Sequence, residues 1–278
     1  MKVLVTGATG NVGRLVVDQL VDKGVEVRAL TNNPSKAALP AGVEVAEGFI
    51  GNLSTLPAAL EGVDRLYLAP HPRTAQAVVD LAVQAGVTRI VDLSSSGADE
   101  EAQGDPASWW FYAVERAVGS APGVEWTHLR PGEFMTNALG WADSIRAEGI
   151  VRAAYGAASY APLDLVDIAA VAAKVLLEDG HHGQKYHMTG PEPLSKIEKV
   201  RIIGEVLGRK IRFVEISHDE ARAEMLQLGY GDAADWLLNG DAQMIGHQQP
   251  VLSTVPDLLG RPSRTFEEWV RDHADAFR

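Results

Sequence analysis

Val3-Leu4-Val5-Thr6-Gly7-Ala8-Thr9-Gly10-Asn11-Val12-Gly13-Arg14 is the stretch that decides the fold. Val3 to Val5 is a short apolar run, the pattern of a buried strand. It breaks into glycines at 7, 10 and 13. A helical pattern follows at once, with Val12, Leu15, Val16 and Leu20 spaced for one face. Gly7 permits a tight turn, Gly10 lets backbone approach a pyrophosphate, and Gly13 lets helix and strand pack closely. Amides at the helix start then face the phosphates, helped by the helix dipole. A strand before and a helix after make the triplet a strong dinucleotide signal. Gly7, Thr9, Gly10, Asn11, Val12 and Gly13 are the residues expected on the pyrophosphate side.

Working outward, strands and helices alternate through the first 130 residues. The pattern predicts strands at Val25 to Leu30, Val43 to Ala46, Asp64 to Ala69, Arg89 to Leu93 and Trp126 to Leu129. It predicts helices at Asn11 to Lys23 and Thr74 to Ala85, and a helical turn or short helix at Leu56 to Leu60. A further helix is expected to start at Asp105-Pro106, with Asp as N-cap. Alternation of this kind implies an α/β fold built on a doubly wound parallel sheet. Beyond Arg130 the regularity loosens. Asp167 to Leu177 reads as a helix with Asp167 as its N-cap, and Lys185 to Thr189 as a strand. Ser195 to Glu198 and Thr265 to Glu268 are capping boxes, the second opening the last helix. Arg212 to Ile216 reads as a strand; Asp219 to Leu228 and Ala233 to Ile245 read as helices. The expected organisation is a single unit over 1–278. Its nucleotide-binding core is mainly 1–130 plus 161–190, and a small C-terminal α/β substrate-covering region is mainly 131–160 and 191–278.

The totals narrow the function classes. A chain of 278 residues, 46% hydrophobic and 22% charged, has the make-up of a globular protein. A net charge of -12 argues against nucleic acid. With no cysteine, disulfides, thiolate metal sites and cysteine nucleophiles are excluded. No apolar run reaches membrane-spanning length, and the expected setting is the cytoplasm. Composition is compatible with a homodimer built on surface helices.

Thr6 to Gly13, Leu60 to Asp64, Leu93 to Ser96, Trp126 to Gly132, Asp164 to Ala169 and Leu207 to Arg209 together resemble the NmrA-like branch of the atypical short-chain dehydrogenases/reductases. The likeness runs over nearly the whole chain. It implies a Rossmann fold and NAD(P). It does not imply a reaction, because the family holds reductases of quinones, isoflavone-type compounds and azo dyes beside redox sensors without turnover.

An NAD site places an acid at the end of strand two to bond the ribose hydroxyls. Here that position reads Leu30-Thr31-Asn32-Asn33, and no acid stands between Val27 and Val43. A 2′-phosphate is not repelled, and Thr31 and Asn32 can donate to it. NADP(H) is therefore favoured modestly over NAD(H), with Arg14, Arg28 and Lys36 as nearby cations. After strand three the resemblance implies Gly-Asp, the acid contacting adenine. This chain has Gly48-Phe49, and Phe49 reads as a core side chain in preference to an adenine platform.

An ordinary short-chain reductase uses a tyrosine acid, a lysine four residues on and a carbonyl-orienting serine. Tyr112 and Arg116 have the spacing, with arginine in the lysine's place. Fixing the frame of the resemblance on Glu115 to Val118 puts the expected lysine at Phe111 and the tyrosine at Ala107. Tyr112 is then displaced around the helix. Ser96 matches the carbonyl-orienting serine, and Ala69, Pro70 and Ser94 are expected along the nicotinamide route. Ser96 and Tyr112 are the catalytic candidates. Hydride transfer to a quinone or activated alkene needs mainly oriented stacking.

The run Trp109-Trp110-Phe111-Tyr112 spans most of a helical turn, so at least one ring should face a cleft or partner. Phe134, Met135, Trp141, Tyr155 and Tyr160 suggest a flat aromatic pocket or the lining between sheet and cap. His181 and His182 are adjacent and have no ligand cluster, so no metal is expected. His71, between Pro70 and Pro72, is a lesser candidate for a cofactor or substrate contact. The leading expectation is an NAD(P)H-dependent oxidoreductase of a planar conjugated small molecule, such as a quinone, enone or polyketide-like compound. The alternatives are a non-catalytic NAD(P)-binding sensor and a non-redox enzyme on the same frame.

Overall fold

A computed structural model describes every residue except Asp232. The chain opens with β1 (Lys2–Val5), α1 (Asn11–Asp22), β2 (Glu26–Thr31), β3 (Glu44–Glu47), α2 (Leu56–Leu60), β4 (Arg65–Leu68), α3 (Ala75–Gln84) and β5 (Arg89–Leu93). It continues through α4 (Ala98–Glu101), α5 (Phe111–Gly119), β6 (Glu125–Pro131), α6 (Ala142–Glu148), β7 (Ile150–Ala153), β8 (Ser159–Tyr160), α7 (Leu165–Leu177) and β9 (Gln184–Met188). It ends with β10 (Leu194–Ser195), α8 (Lys196–Leu207), β11 (Arg212–Glu215), α9 (His218–Gln227), α10 (Ala233–Gln243), α11 (Thr254–Leu259), α12 (Phe266–Asp272) and α13 (Ala274–Phe277).

Two compact units result. The first comprises Met1–Pro131, Leu165–Met188 and Thr254–Arg261. Its seven strands run parallel in the order β3-β2-β1-β4-β5-β6-β9. This is the doubly wound Rossmann sheet, with the order reversing at β1 and β4. Parallel sheets need cover on both faces, and β5 is buried along its whole length. On one face α1 packs against α7. Ala169, Ala172 and Ala173 of α7 are fully buried, and their small side chains allow close approach. On the other face Leu66, Leu68 and Ile90 meet Val79 of α3 and Val114 and Val118 of α5.

Three arginines in this unit, Arg28 and Arg89 buried and Arg65 partly so, close helix ends. Arg28 donates to the carbonyls of Ala59 and Glu61 at 2.8 and 2.7 Å, at the C-terminus of α2. Arg65 donates to Leu176, and Arg89 to Leu176 and Glu178, at the C-terminus of α7. A cation there satisfies orphan carbonyls and suits the helix dipole. Arg28 therefore points away from the end of β2.

The second unit comprises Gly132–Asp164, Thr189–Ser253 and Pro262–Arg278. It holds two two-stranded sheets, β10-β8 antiparallel and β11-β7 parallel. Its main core joins Met135, Ile145, Val151, Ile203, Phe266 and Trp269. Both expected capping boxes form, Ser195 with Glu198 and Thr265 with Glu268. A third, Ser217 with Glu220, opens α9.

Three expectations need correction. Asp105 caps only a short turn over Pro106–Ser108; Trp109 is extended, and α5 begins at Phe111. The carboxylate of Glu101 accepts from the amides of Trp110 and Tyr112 at 3.1 and 2.9 Å, closing the start of α5 in place of Asp105. Asp167 lies inside the first turn of α7 and pairs with Arg261 at 2.7 Å, so it is not the N-cap. The helix opened by Thr265 is followed by one more short helix, α13. Among the described residues no helix is long and apolar enough to cross a membrane.

Candidate functional site

The turn after β1 is built by its glycines. Gly7 has φ +60°, and a Cβ there would lie 2.9 Å from Cβ of Ala69. A Cβ on Gly13 would lie 2.2 Å from the Gly7 carbonyl oxygen, an impossible approach. Gly10 donates its amide to Gly7 at 2.8 Å. The hydroxyl of Thr6 donates to Tyr67 at 3.1 Å and accepts from Ala69 at 2.8 Å, tying the ends of β1 and β4 together.

Gly7, Thr9, Gly10 and Asn11 are exposed, whereas the side chain of Val12 is buried. Gly10 caps α1 with no side-chain hydrogen bond, and the first turn of α1 carries no acid. The positive end of the helix is open to an anion. This cradle fits a dinucleotide pyrophosphate, which the backbone amides of Asn11, Val12 and Gly13 would hold, since the Gly10 amide is spent on Gly7.

At the end of β2, Thr31 is 4% exposed and its hydroxyl accepts from the Asn33 amide at 3.2 Å. Asn32 and Lys36 are exposed. Arg14 donates to Asp18 at 3.1 Å and to the carbonyl of Ala38 at 2.6 Å. Thr31 thus shapes the turn, and Asn32 presents its amide to solvent. Phe49 is 47% exposed, which corrects the core reading. Its ring meets His71 edge-on at 5.3 Å.

The end of β5 separates the serines. Ser94 is 2% exposed and donates its hydroxyl to Glu115. Ser96 is exposed, and its amide donates to Pro131 at 3.0 Å. Among the described residues neither the Ser96 nor the Tyr112 hydroxyl makes a protein hydrogen bond. The Tyr112 ring meets Trp109 edge-on at 4.8 Å, and the Arg116 guanidinium lies over the same indole at 5.4 Å. Arg116 therefore packs on Trp109 instead of the Tyr112 hydroxyl. Of the aromatic run, Trp110 is the ring most open to solvent, at 53%.

The larger aromatic pocket does not assemble as one set. Met135 is 1% exposed within the second unit's core, and Trp141 packs on that core. Tyr155 belongs to a separate small cluster with Ala154, Ala221 and Leu238. His181 bonds to the Tyr186 hydroxyl at 2.8 Å, while His182 accepts from the Trp126 amide at 3.2 Å. No group of three or more potential metal-ligating histidines, aspartates and glutamates occurs among the described residues.

Beneath the serines lies a charged network that sequence reading missed. Arg130 binds Glu115 through two 2.7 Å hydrogen bonds and Asp99 through two of 2.7 and 2.9 Å. Burial alone would raise the Glu115 carboxyl; hydrogen bonds from Arg130 and Ser94 outweigh it and hold it below the usual range. Beside it, Asp92 and His128 are 2.6 Å apart, and burial pushes the Asp92 carboxyl up against the pull of His128. The network fixes Ser94, and with it the start of the turn that carries Ser96.

Comparisons with known proteins agree with this geometry. Residues 7–179 match a family model described as NAD(P)H-binding. The chain is 39% identical to the (4-alkanoyl-5-oxo-2,5-dihydrofuran-3-yl)methyl phosphate reductase of Streptomyces griseus, over 99% of each chain. It is 34% identical to the NAD(P)H azoreductase of Xenophilus azovorans, again over 99% of each. The crystal structure of an NADPH-dependent quinone oxidoreductase from Escherichia coli, complexed with NADPH, superposes with a TM-score of 0.82 at 27% identity. That match covers 98% of this chain and 99% of the other. An exposed glycine cradle on a doubly wound sheet, matched nearly end to end by such proteins, places this chain in the NAD(P)H-binding family, as a member of the NmrA-like, atypical short-chain dehydrogenase/reductase type.

Proposed function

We propose that this protein is an NADPH-dependent reductase of planar, conjugated carbonyl compounds, acting on an activated carbon-carbon double bond or a quinone. The observation that carries the reading is the open, acid-free cradle at Gly7 to Gly13, followed by a β2 end that offers Asn32 where an acid would repel a 2′-phosphate. The Streptomyces relative's name describes an oxo-dihydrofuran bearing an alkanoyl group, a ring alkene conjugated with carbonyls. The azo and quinone relatives also act on conjugated acceptors.

When bound, the reduced nicotinamide supplies a hydride. On an enone the hydride adds at the β-carbon, and the alkene electron pair moves to the carbonyl oxygen as an enolate. The exposed Ser96 hydroxyl donates a hydrogen bond to that oxygen. Tyr112 is the second candidate donor, and water delivers the proton that completes the reduction. An enolate flanked by two carbonyls needs no strong acid, which suits a site without the tyrosine-lysine pair. The test is anaerobic oxidation of NADPH with an acyl-butenolide, a naphthoquinone and a simple saturated ketone. The reading expects turnover of the first two and little of the third. Turnover of none, with NADPH bound, would favour the sensor.

A further inference from the structure

Phe49 and His71 belong to loops that follow β3 and β4. In the sheet those strands are separated by β2 and β1, a span of roughly 14 Å. The loops nevertheless meet. The Phe49 and His71 rings are edge-on at 5.3 Å. The Thr74 hydroxyl donates to the carbonyl of Ile50 at 2.8 Å and lies 2.7 Å from Nδ1 of His71. Together they wall the carboxyl side of β1 and β2.

The backbone of Phe49 is tied down on both sides. Its amide donates to the Thr55 hydroxyl at 3.2 Å, and its carbonyl accepts from Asn52 at 2.8 Å. A Cβ on Gly51 would lie 2.3 Å from its ring. Gly48, the preceding residue, donates to the carbonyl of Thr31 at 2.8 Å. The aromatic ring is thus one residue from a hydrogen bond to the end of β2, the point where a Rossmann sheet reads the adenosine ribose. Its neighbour Ile50 is 5% exposed, yet Phe49 is 47% exposed. A ring anchored at its backbone, in edge contact with His71 and left open at this edge fits a flat aromatic ligand.

We infer that Phe49, braced by His71, is the platform on which the adenine of the dinucleotide stacks. The inference rests on the cofactor reading above. A phenyl face offers no hydrogen bond to the 6-amino group, so the platform reads the face of the base and not its edge. The chain therefore accepts a base in which a 6-oxo group replaces the amine, because every base has a π-face.

The experiment is calorimetric titration of wild type, Phe49→Ala and Phe49→Tyr. The probes are NADPH, its hypoxanthine analogue, 2′,5′-ADP and reduced nicotinamide mononucleotide. Wild type is expected to bind the hypoxanthine analogue within about twofold of NADPH. Phe49→Ala is expected to weaken NADPH, the analogue and 2′,5′-ADP by about 5- to 150-fold, the range for losing one base stack. The mononucleotide should be unaffected, and Phe49→Tyr should restore affinity. Unchanged NADPH binding by Phe49→Ala, or a tenfold preference of wild type for adenine over hypoxanthine, would overturn the platform alone. Wild type binding neither NADPH nor 2′,5′-ADP would overturn the cofactor reading as well.

Discussion

Arg130 and Glu115 face each other through two parallel 2.7 Å hydrogen bonds, with 1% and 2% of their side chains exposed. A bidentate arginine-carboxylate pair is geometrically specific. Here it joins β6 to α5 and fixes the Ser94 hydroxyl. Arg130→Met leaves Glu115 buried without its cation and should cost about 3–5 kcal/mol, whereas Glu115→Leu should cost less, because Arg130 keeps its two hydrogen bonds to Asp99. The double variant should recover part of that loss, because neither charge is then stranded. Urea unfolding of the two singles and the double measures this, and simple additivity would count against a coupled pair.

The same pair sets a direction for acid stability. Glu115 and Asp99 both titrate below their ordinary values in the folded chain, Glu115 through Arg130 and Ser94 overcoming burial, and Asp99 through Arg130. A depressed carboxyl stabilises the fold above its unfolded value and loses that contribution as pH falls through its folded value. Stability should therefore hold down to about pH 5 and then fall through the acid range. Glu115→Gln should flatten the fall, which acid titration followed by circular dichroism records.

Gly13 and Gly24 separate packing from backbone conformation. At Gly24, φ is +71° and nothing lies within 4 Å of a would-be Cβ. Gly24→Ala should cost about 1 kcal/mol and leave cofactor binding intact. Gly13→Ala pushes α1 off the Gly7 turn, and NADPH affinity should fall on the order of tenfold or more. Thermal melts and titrations on the two variants separate the effects.

Ser96 and Tyr112 carry the catalytic proposal. If the Ser96 hydroxyl steadies the enolate, Ser96→Ala should lower kcat by about 10²–10³ with NADPH affinity unchanged. Tyr112→Phe should lower kcat less, since Arg116 packs on Trp109 and does not reinforce the phenol. Steady-state kinetics decide, and full activity in both variants would remove these residues from the mechanism.

Much of the nucleotide-binding unit is legible because its signals are local. The glycine turn, Leu56–Leu60 and Arg89–Leu93 follow from apolar runs, strand-helix alternation and turn residues within a few positions. Long-range closure is not local. Asp105 carries the sign of a helix cap, yet Glu101, from the preceding helix, closes α5. Asp167 carries the sign of a cap by residue type and position, and its ion pair with Arg261, far along the chain, has no local signal. Glu115 and Arg130 stand 15 positions apart, one on a helix and one on a strand, and only the folded sheet brings them together. Phe49 reads as core by residue type, but the turn at Gly51 and the contact with His71 leave its ring open. The weak periodicity after Arg130 hides α6, β7 and α11, which are short and depend on their packing.

The central claim is that the cradle binds a phosphorylated dinucleotide at an acid-free β2 end. Its most direct test is calorimetric titration of the wild type and Asn32→Asp with NADPH and with NADH. The account predicts tighter binding of NADPH by the wild type, and a loss of that preference by about tenfold or more when Asn32→Asp sets a carboxylate against the 2′-phosphate. Equal affinity for both cofactors in both proteins would contradict the phosphate reading, and binding of neither would contradict the account as a whole.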